Sequence, residues 1–223
     1  MTFENFILTR GETTPAMEGT PFIDPGVGYL GTAQLILDAA TTDIHGVCHD
    51  DVTVHEPWQE RVMAEFEEPQ VVVAGFGGAL ALGHPDIYKI PYDYVQLARA
   101  RFRSNLDDAE FHGERFTGEC DVAVLDSFAL FIRTEWLRGE GGWPVDRYAP
   151  SHLSDIWVCL KAWQTGMKVR LVGVACEHRS GGAGRAYPEW AATTKWKTDQ
   201  AMHRENHRIL YTEFNGFLPF EVK

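Results

Sequence analysis

The chain is short of cysteine and has no paired cysteines: Cys48, Cys120, Cys159 and Cys176 are scattered, with no C-x-x-C spacing. That pattern is poor for zinc and too sparse for a disulfide scaffold, so the four are expected as small buried hydrophobes in a reducing compartment. Basic residues are also few, 20 Lys and Arg against 32 Asp and Glu, for a formal charge of −12. A surface that grips nucleic acid by its phosphates needs the opposite balance. A phosphate-bearing small molecule remains compatible, provided a cation or a few placed arginines offset the repulsion. No apolar run reaches membrane-spanning length, and the opening "MTFENFILTR" has no basic leader followed by a long apolar stretch. A soluble, cytoplasmic protein is the expectation. Internal repeats and low-complexity tracts are missing as well.

What the 223 residues do contain is enough hydrophobic character, 44%, for one good-sized domain spanning 1–223. Near the start only 5–9 reads as a strand, amid Gly, Pro and Thr. "GTAQLILDAATT" reads as a helix, with Thr32 as a possible cap, and "DIHGVC" as a strand. "EPWQERVMAEFEEP" is a helix with Val62, Met63 and Phe66 as its apolar face, and "QVVVAGFGG" a strand buried on both faces. This rhythm predicts an α/β protein: a mixed, mostly parallel central sheet flanked by helices. The segment 84–119, which holds Arg99, Arg101 and Arg103, reads as a loop and helix inserted beside a site. "DVAVLDSFALFIR" then gives one or two strands around Asp126, and "SDIWVCLKAWQTG" a helix stopped by Gly166. "MKVRLVGVA" is a strand, "EHRSGGAGRAYPEW" a glycine-rich loop, and a long helix is expected over about 188–212.

Four places could carry chemistry. The strand "DIHGVC" runs into His49-Asp50-Asp51; side chains alternate along a strand, so His49 and Asp51 share a face and can reach one cation while Asp50 points away. The competing reading is an ordinary turn or helix entry. Asp155 opens an amphipathic helix, where an acid also serves as a simple dipole partner. His178 leads a glycine loop and could be a ligand that closes over a bound molecule. Asp126 lies between apolar stretches and must be paired or face a cavity.

The order of these pieces, over roughly 28–182, resembles family 2 glycosyltransferases with the GT-A fold (nucleotide-diphospho-sugar transferase-like). "GYLGTAQLILDAATTDIHGVCHDDVTVHEPWQERVMAEFEEPQVVVAG" looks like that family's segment in which a helix leads to a strand ending in a D-x-D-type motif. "DSFALFIRTEWL" with "GGW" looks like its acceptor-side strand and Gly-Gly-aromatic turn. "HLSDIWVCLKAWQTGMKVRLVG" resembles its E-D helix, and "EHRSGG" its late histidine and loop.

The resemblance implies a metal-dependent transferase moving a sugar from a nucleotide-sugar donor to an acceptor hydroxyl with inversion. It implies Asp155 as the base, Asp51, His178 and His49 on Mn²⁺ (or Mg²⁺), and Asp50, Asp126 and Gly31 on the donor side. On the residues themselves, Trp143 is the best candidate for a sugar contact, and Arg99 and Arg101 are candidate acceptor or diphosphate contacts against a competing reading as a solvated helix face; the acceptor could be a glycan, a small molecule, a protein or a modified nucleobase. The chain departs from the family in two respects. His49 stands where an acid is usual, and the nucleotide-binding part, about 1–83, is short. Its base pocket is expected to be trimmed, rebuilt from 6–24, or supplied by another subunit, whether a second copy in a homo-oligomer or a different partner. Two further readings are a non-catalytic nucleotide-sugar-binding subunit, and a sugar nucleotidyltransferase or pyrophosphohydrolase on the same fold. The last would want a G-x-G-x-R-type loop with a phosphate-binding Lys, and neither is present.

Overall fold

The computed structural model describes residues 1–9, 17–83, 95–100, 102–104, 114–178 and 187–222, with backbone alone at 95–100, 102–104, 114, 115 and 187–189. The chain opens with β1 (Phe3–Thr9), β2 (Thr20–Ile23), α1 (Gly28–Ala39), β3 (Ile44–His49), β4 (Val52–Val54), α2 (Gln59–Glu65), β5 (Val71–Gly75) and β6 (Gly77–Leu82). β7 (Val95–Ala100), β8 (Phe102–Ser104), β9 (Glu114–Arg115), β10 (Glu119–Asp121), β11 (Val124–Leu125), β12 (Ala129–Arg133) and α3 (Thr134–Gly139) follow. It continues through α4 (Ser154–Gln164), β13 (Lys168–Val172), β14 (Cys176–His178), α5 (Tyr187–Thr193), α6 (Asp199–Glu213) and β15 (Phe220–Glu221).

The main sheet has the order β10-β13-β5-β12-β3-β1-β2. Strands β2, β1, β3, β5 and β13 run one way, while β12 and β10 run the other. The mixed, mostly parallel sheet expected from the sequence is therefore what forms. β5, "VVVAG", is apolar and buried at every position, as suits a strand with helices on both faces of its sheet. On one face α1 and α4 bury Leu30, Ile36, Leu37, Trp157 and Leu160. On the other, α2 and its flanks bury Trp58, Val62 and Phe66 against Phe76 and Phe131.

Several local expectations change. The run "QVVVAGFGG" breaks at Phe76 into β5, in the main sheet, and β6, in a second sheet ordered β11-β6-β7-β9 with β15 on the other side of β6. The described part of 84–119 is strand rather than helix: β7 pairs with β6, and β8 pairs with β14. The physical reason is written in "ARARFR", which alternates apolar and basic residues with a period of two. Residues 84–94, 101 and 105–113 lie outside the described residues. The long C-terminal helix is instead two, α5 and α6, broken where Lys197 takes a φ of +65° and Thr198 caps α6 by accepting from the Ala201 amide at 3.2 Å. Thr32 is not a cap but lies inside α1. The capping work falls to Asp24, whose carboxylate accepts from the Gly26 and Val27 amides and from the Thr32 hydroxyl.

The short N-terminal part contributes β1 and β2 as parallel strands beside β3, so this edge of the sheet is built by the chain itself. Among the described residues no helix is long and apolar enough to cross a membrane.

Candidate active site

The site forms beyond the C-terminal end of β3. His49 is the last residue of that strand, and Asp50 and Asp51 form the turn into β4. The strand alternation expected to align His49 with Asp51 therefore stops at His49; the turn brings the two together instead. His178 arrives by sheet register, because β14 pairs antiparallel with β4 and sets His178 opposite Val52, one residue from Asp51. His49 Nδ1 lies 3.4 Å from His178 Nε2, and Asp51 Oδ1 lies 3.4 Å from His178 Nε2 and 4.0 Å from His49 Nδ1. Each of the three residues offers one donor atom, all within 4.8 Å of one another.

Rings fix the imidazoles. Phe128 stacks on His178 at 4.9 Å with planes 19° apart, and Tyr29 meets His49 edge-on at 5.6 Å. The His49 amide donates to the Phe128 carbonyl at 2.9 Å, tying the strand end to the segment that carries the stacking ring. Burial, and next the neighbouring His178, hold the pKa of His49 below the usual imidazole range, with Asp51 pulling the other way. His49 is thereby favoured as the neutral form, the one that ligates metals. Two imidazole nitrogens and a carboxylate oxygen converging on one point fit a divalent cation. Cis ligands at about 2.1 Å from a metal stand about 3 Å apart, so a small closure would complete the geometry. With two imidazoles the set is softer than paired carboxylates and moves preference from Mg²⁺ toward Mn²⁺ and later transition metals.

A second group sits alongside. Asp155, in the first turn of α4, accepts from the Ser127 amide at 3.0 Å through Oδ2 and from the Ile156 amide at 2.9 Å through Oδ1. The Tyr29 hydroxyl donates to the Ser127 carbonyl at 3.3 Å. Ser127 is thus held at both backbone groups, and Tyr29 spans from the metal-type cluster to the Asp155 side. Burial raises the Tyr29 hydroxyl's pKa well above the usual range, and the charge of Asp155 adds to it. Asp126 lies between: its carboxylate accepts from the Phe128 amide at 3.3 Å, and its charge acts on both His49 and Tyr29. Asp50, half-buried in the turn, also acts on His49.

The remaining candidates are placed differently. Gly31 lies in α1, where a Cβ would come within 2.8 Å of the Val27 side chain, a local reason for glycine. Trp143 is a core residue, 2% exposed and 6.3 Å from Trp157. Gly141 and Gly142, at φ +93° and +78°, turn the chain there, and the Trp143 amide donates to Gln34. Its ring is packed inside rather than offered to a sugar. Arg99 is on β7, opposite Gly78 and Glu114, and Arg101 lies outside the described residues. β8, which follows, runs beside β14 with Ser104 opposite His178, so this strand pair borders the site. Tyr29, Ser127 and Phe128 carry no signal in the sequence; their roles come from contacts across the chain.

No protein-family model matches the chain, and no curated protein matches it by sequence. Solved structures do match by shape. GalNAc-T7, in a complex with UDP, GalNAc and Mn²⁺, superposes with a TM-score of 0.53 at 10% identity, over 81% of this chain and 44% of that one. TarS 1–349 of S. aureus gives 0.50 at 11% identity, over 97% of this chain and 74% of that one. A197 from STIV gives 0.49 at 13%, over 79% and 83%. The fold is the GT-A fold. At such identities the likeness is one of architecture. The His49, Asp51 and His178 cluster lies at the C-terminal end of β3, and open α/β sheets bind ligands at the C-terminal ends of their strands.

Proposed function

We propose that this chain is a metal-dependent glycosyltransferase that moves a sugar from a nucleotide-sugar donor to an acceptor hydroxyl with inversion at the sugar carbon. The observation that carries the reading is the convergence of His49 Nδ1, Asp51 Oδ1 and His178 Nε2 at the end of β3, with Asp155 held beside it through Ser127 and Tyr29. The neighbours support it: GalNAc-T7 was solved with UDP, GalNAc and Mn²⁺.

His49, Asp51 and His178 would hold Mn²⁺ or Mg²⁺, which when bound neutralises charge on the leaving diphosphate as a Lewis acid. The chain's own residues do the rest. Asp155 takes the proton of the acceptor hydroxyl as that oxygen forms its bond to the sugar carbon and the bond to the diphosphate oxygen breaks. The proton ends on Asp155 and the electron pair on the departing nucleoside diphosphate. One base opposite the leaving group means one displacement, hence inversion. The Ser127 and Ile156 amides orient the carboxylate, and Tyr29 and Phe128 fix the two imidazole rings by packing against them.

A thermal-shift screen of nucleotide sugars with and without Mn²⁺ tests this reading and names the donor. Stabilisation by one donor only when Mn²⁺ is present is the expected result. The same donor should then be hydrolysed or transferred, with activity lost in both Asp51→Ala and Asp155→Asn. Metal-dependent binding with no turnover in the wild type would instead identify a non-catalytic nucleotide-sugar-binding subunit.

A further inference from the structure

The segment that delivers Asp155 is irregular. Immediately before α4, His152 and Leu153 both take left-handed φ values, +70° and +61°. Two consecutive non-glycine residues in that region are strained and persist only where surroundings over-determine them. Here the His152 side chain pairs with Asp199 at the start of α6 and meets the His203 ring, while one side chain takes most of the turn's backbone groups. Asn206, on α6 and fully buried, accepts from the Ala149 amide at 2.5 Å through Oδ1. Its amide nitrogen faces the carbonyls of Ala149, Ser151 and His152 at 3.1, 2.6 and 2.9 Å. A single carboxamide thus serves four backbone groups of the strained turn.

The grip is reinforced from both sides. Two turns along α6, Glu213 accepts from the Tyr148 hydroxyl, the Trp157 indole N–H and the Arg147 guanidinium at about 3.0 Å. From the opposite side the Leu30 amide donates to the Pro150 carbonyl at 3.0 Å, docking the start of α1, and hence Tyr29, on the same segment. The Leu153 carbonyl then accepts the first α4 bond, from the Trp157 amide.

We propose that Asn206 is a positioning residue that sets the direction of the Asp155 carboxylate by locking the 149–153 turn. The proposal rests on the reading of Asp155 as the base. Carboxylate direction matters because a misplacement of about 1 Å at a reacting group can cost a hundredfold in rate.

The test uses Asn206→Ser, with Asn206→Gln as a second variant that keeps the amide but displaces it by one methylene. Amide exchange read by ¹⁵N NMR reports the structural half, since the Ser127 N–H is held by Asp155. In Asn206→Ser, Ser127 should exchange at least about tenfold faster while the amides of β5 keep their wild-type rates. With the donor found in the thermal-shift screen, kcat should fall about tenfold to a hundredfold with KM for the donor within about twofold. Asn206→Gln should lie between this variant and wild type in both readouts. Unchanged Ser127 exchange, exchange raised equally across β5, or a kcat equal to wild type would each overturn the proposal. Failure of the base reading is separable: it would show as full transfer activity in Asp155→Asn, a variant in which Asn206 is intact.

Discussion

The two sides of the site are held by different physics. On the metal side, His49 and His178 are delivered by backbone register: β3 ends at one, and the β4–β14 ladder sets the other one residue from Asp51. On the base side, Asp155 is delivered by a turn with two left-handed residues, kept in place by side-chain hydrogen bonds from a distant helix. Register is redundant, since many ladder bonds specify it and no single side chain does. The turn rests on far fewer bonds, four of its backbone contacts falling to the single Asn206 carboxamide. The comparison teaches that the metal side should tolerate change around its ligands, while the base side should respond to change far from its own.

The largest effects should come from the ligating and reacting groups themselves. Asp51→Ala removes a ligand and should weaken Mn²⁺ binding by more than the ten- to hundredfold typical of groups one step removed from a metal; isothermal titration calorimetry measures it. Asp155→Asn should lower kcat about 10² to 10⁴-fold while Mn²⁺-dependent donor binding stays within about twofold, separating the two sides in steady-state kinetics and calorimetry.

The next effect is on stability and probes the sheet behind the metal side. His45 on β3 is fully buried, with Nδ1 3.0 Å from the Thr134 hydroxyl, and burial lowers its pKa to about 3. The unfolded chain takes this proton near pH 6.5 and the folded chain does not, so the contribution is intact above pH 6.5 and is lost as pH falls toward 3. By pH 5 the loss from this group should reach about 2 kcal/mol. Urea unfolding at pH 7 and pH 5 should show a steeper fall in the wild type than in His45→Gln.

The smallest effect probes the clamp at its root. Thr198→Ala removes the cap of α6 and should cost about 1 kcal/mol. Because α6 holds the 149–153 turn, the same variant should raise Ser127 amide exchange more than that of the His49 amide. Equal changes at both would erase the distinction between the two sides.

The same distinction decides how much could be read in the sequence. β5, β3 and α4 announce themselves through apolar runs and a period of 3.6, and the chain order of His49-Asp50-Asp51, Asp126, Asp155 and His178 points to the GT-A arrangement. His49 and Asp51 are brought together by a turn rather than by strand alternation, so the pair was legible but its cause was not. The arginine segment, expected as loop and helix, forms strands where "ARARFR" alternates with a period of two. Trp143 drew attention as an aromatic after two glycines, yet the turn those glycines make carries it into the core. Asn206 had no signature at all, because nothing near it in "HRENHRIL" records that its partners lie more than fifty residues earlier.

The central claim is that His49, Asp51 and His178 together hold one divalent cation for a nucleoside diphosphate. Titrating Mn²⁺ into the protein with UDP or GDP present, and following the free-ion signal by electron paramagnetic resonance, tests it directly. The account predicts one Mn²⁺ per chain in the wild type with at least one of the two nucleotides, and loss of that site in both Asp51→Ala and His178→Ala. Equal Mn²⁺ binding by wild type and both variants would contradict it.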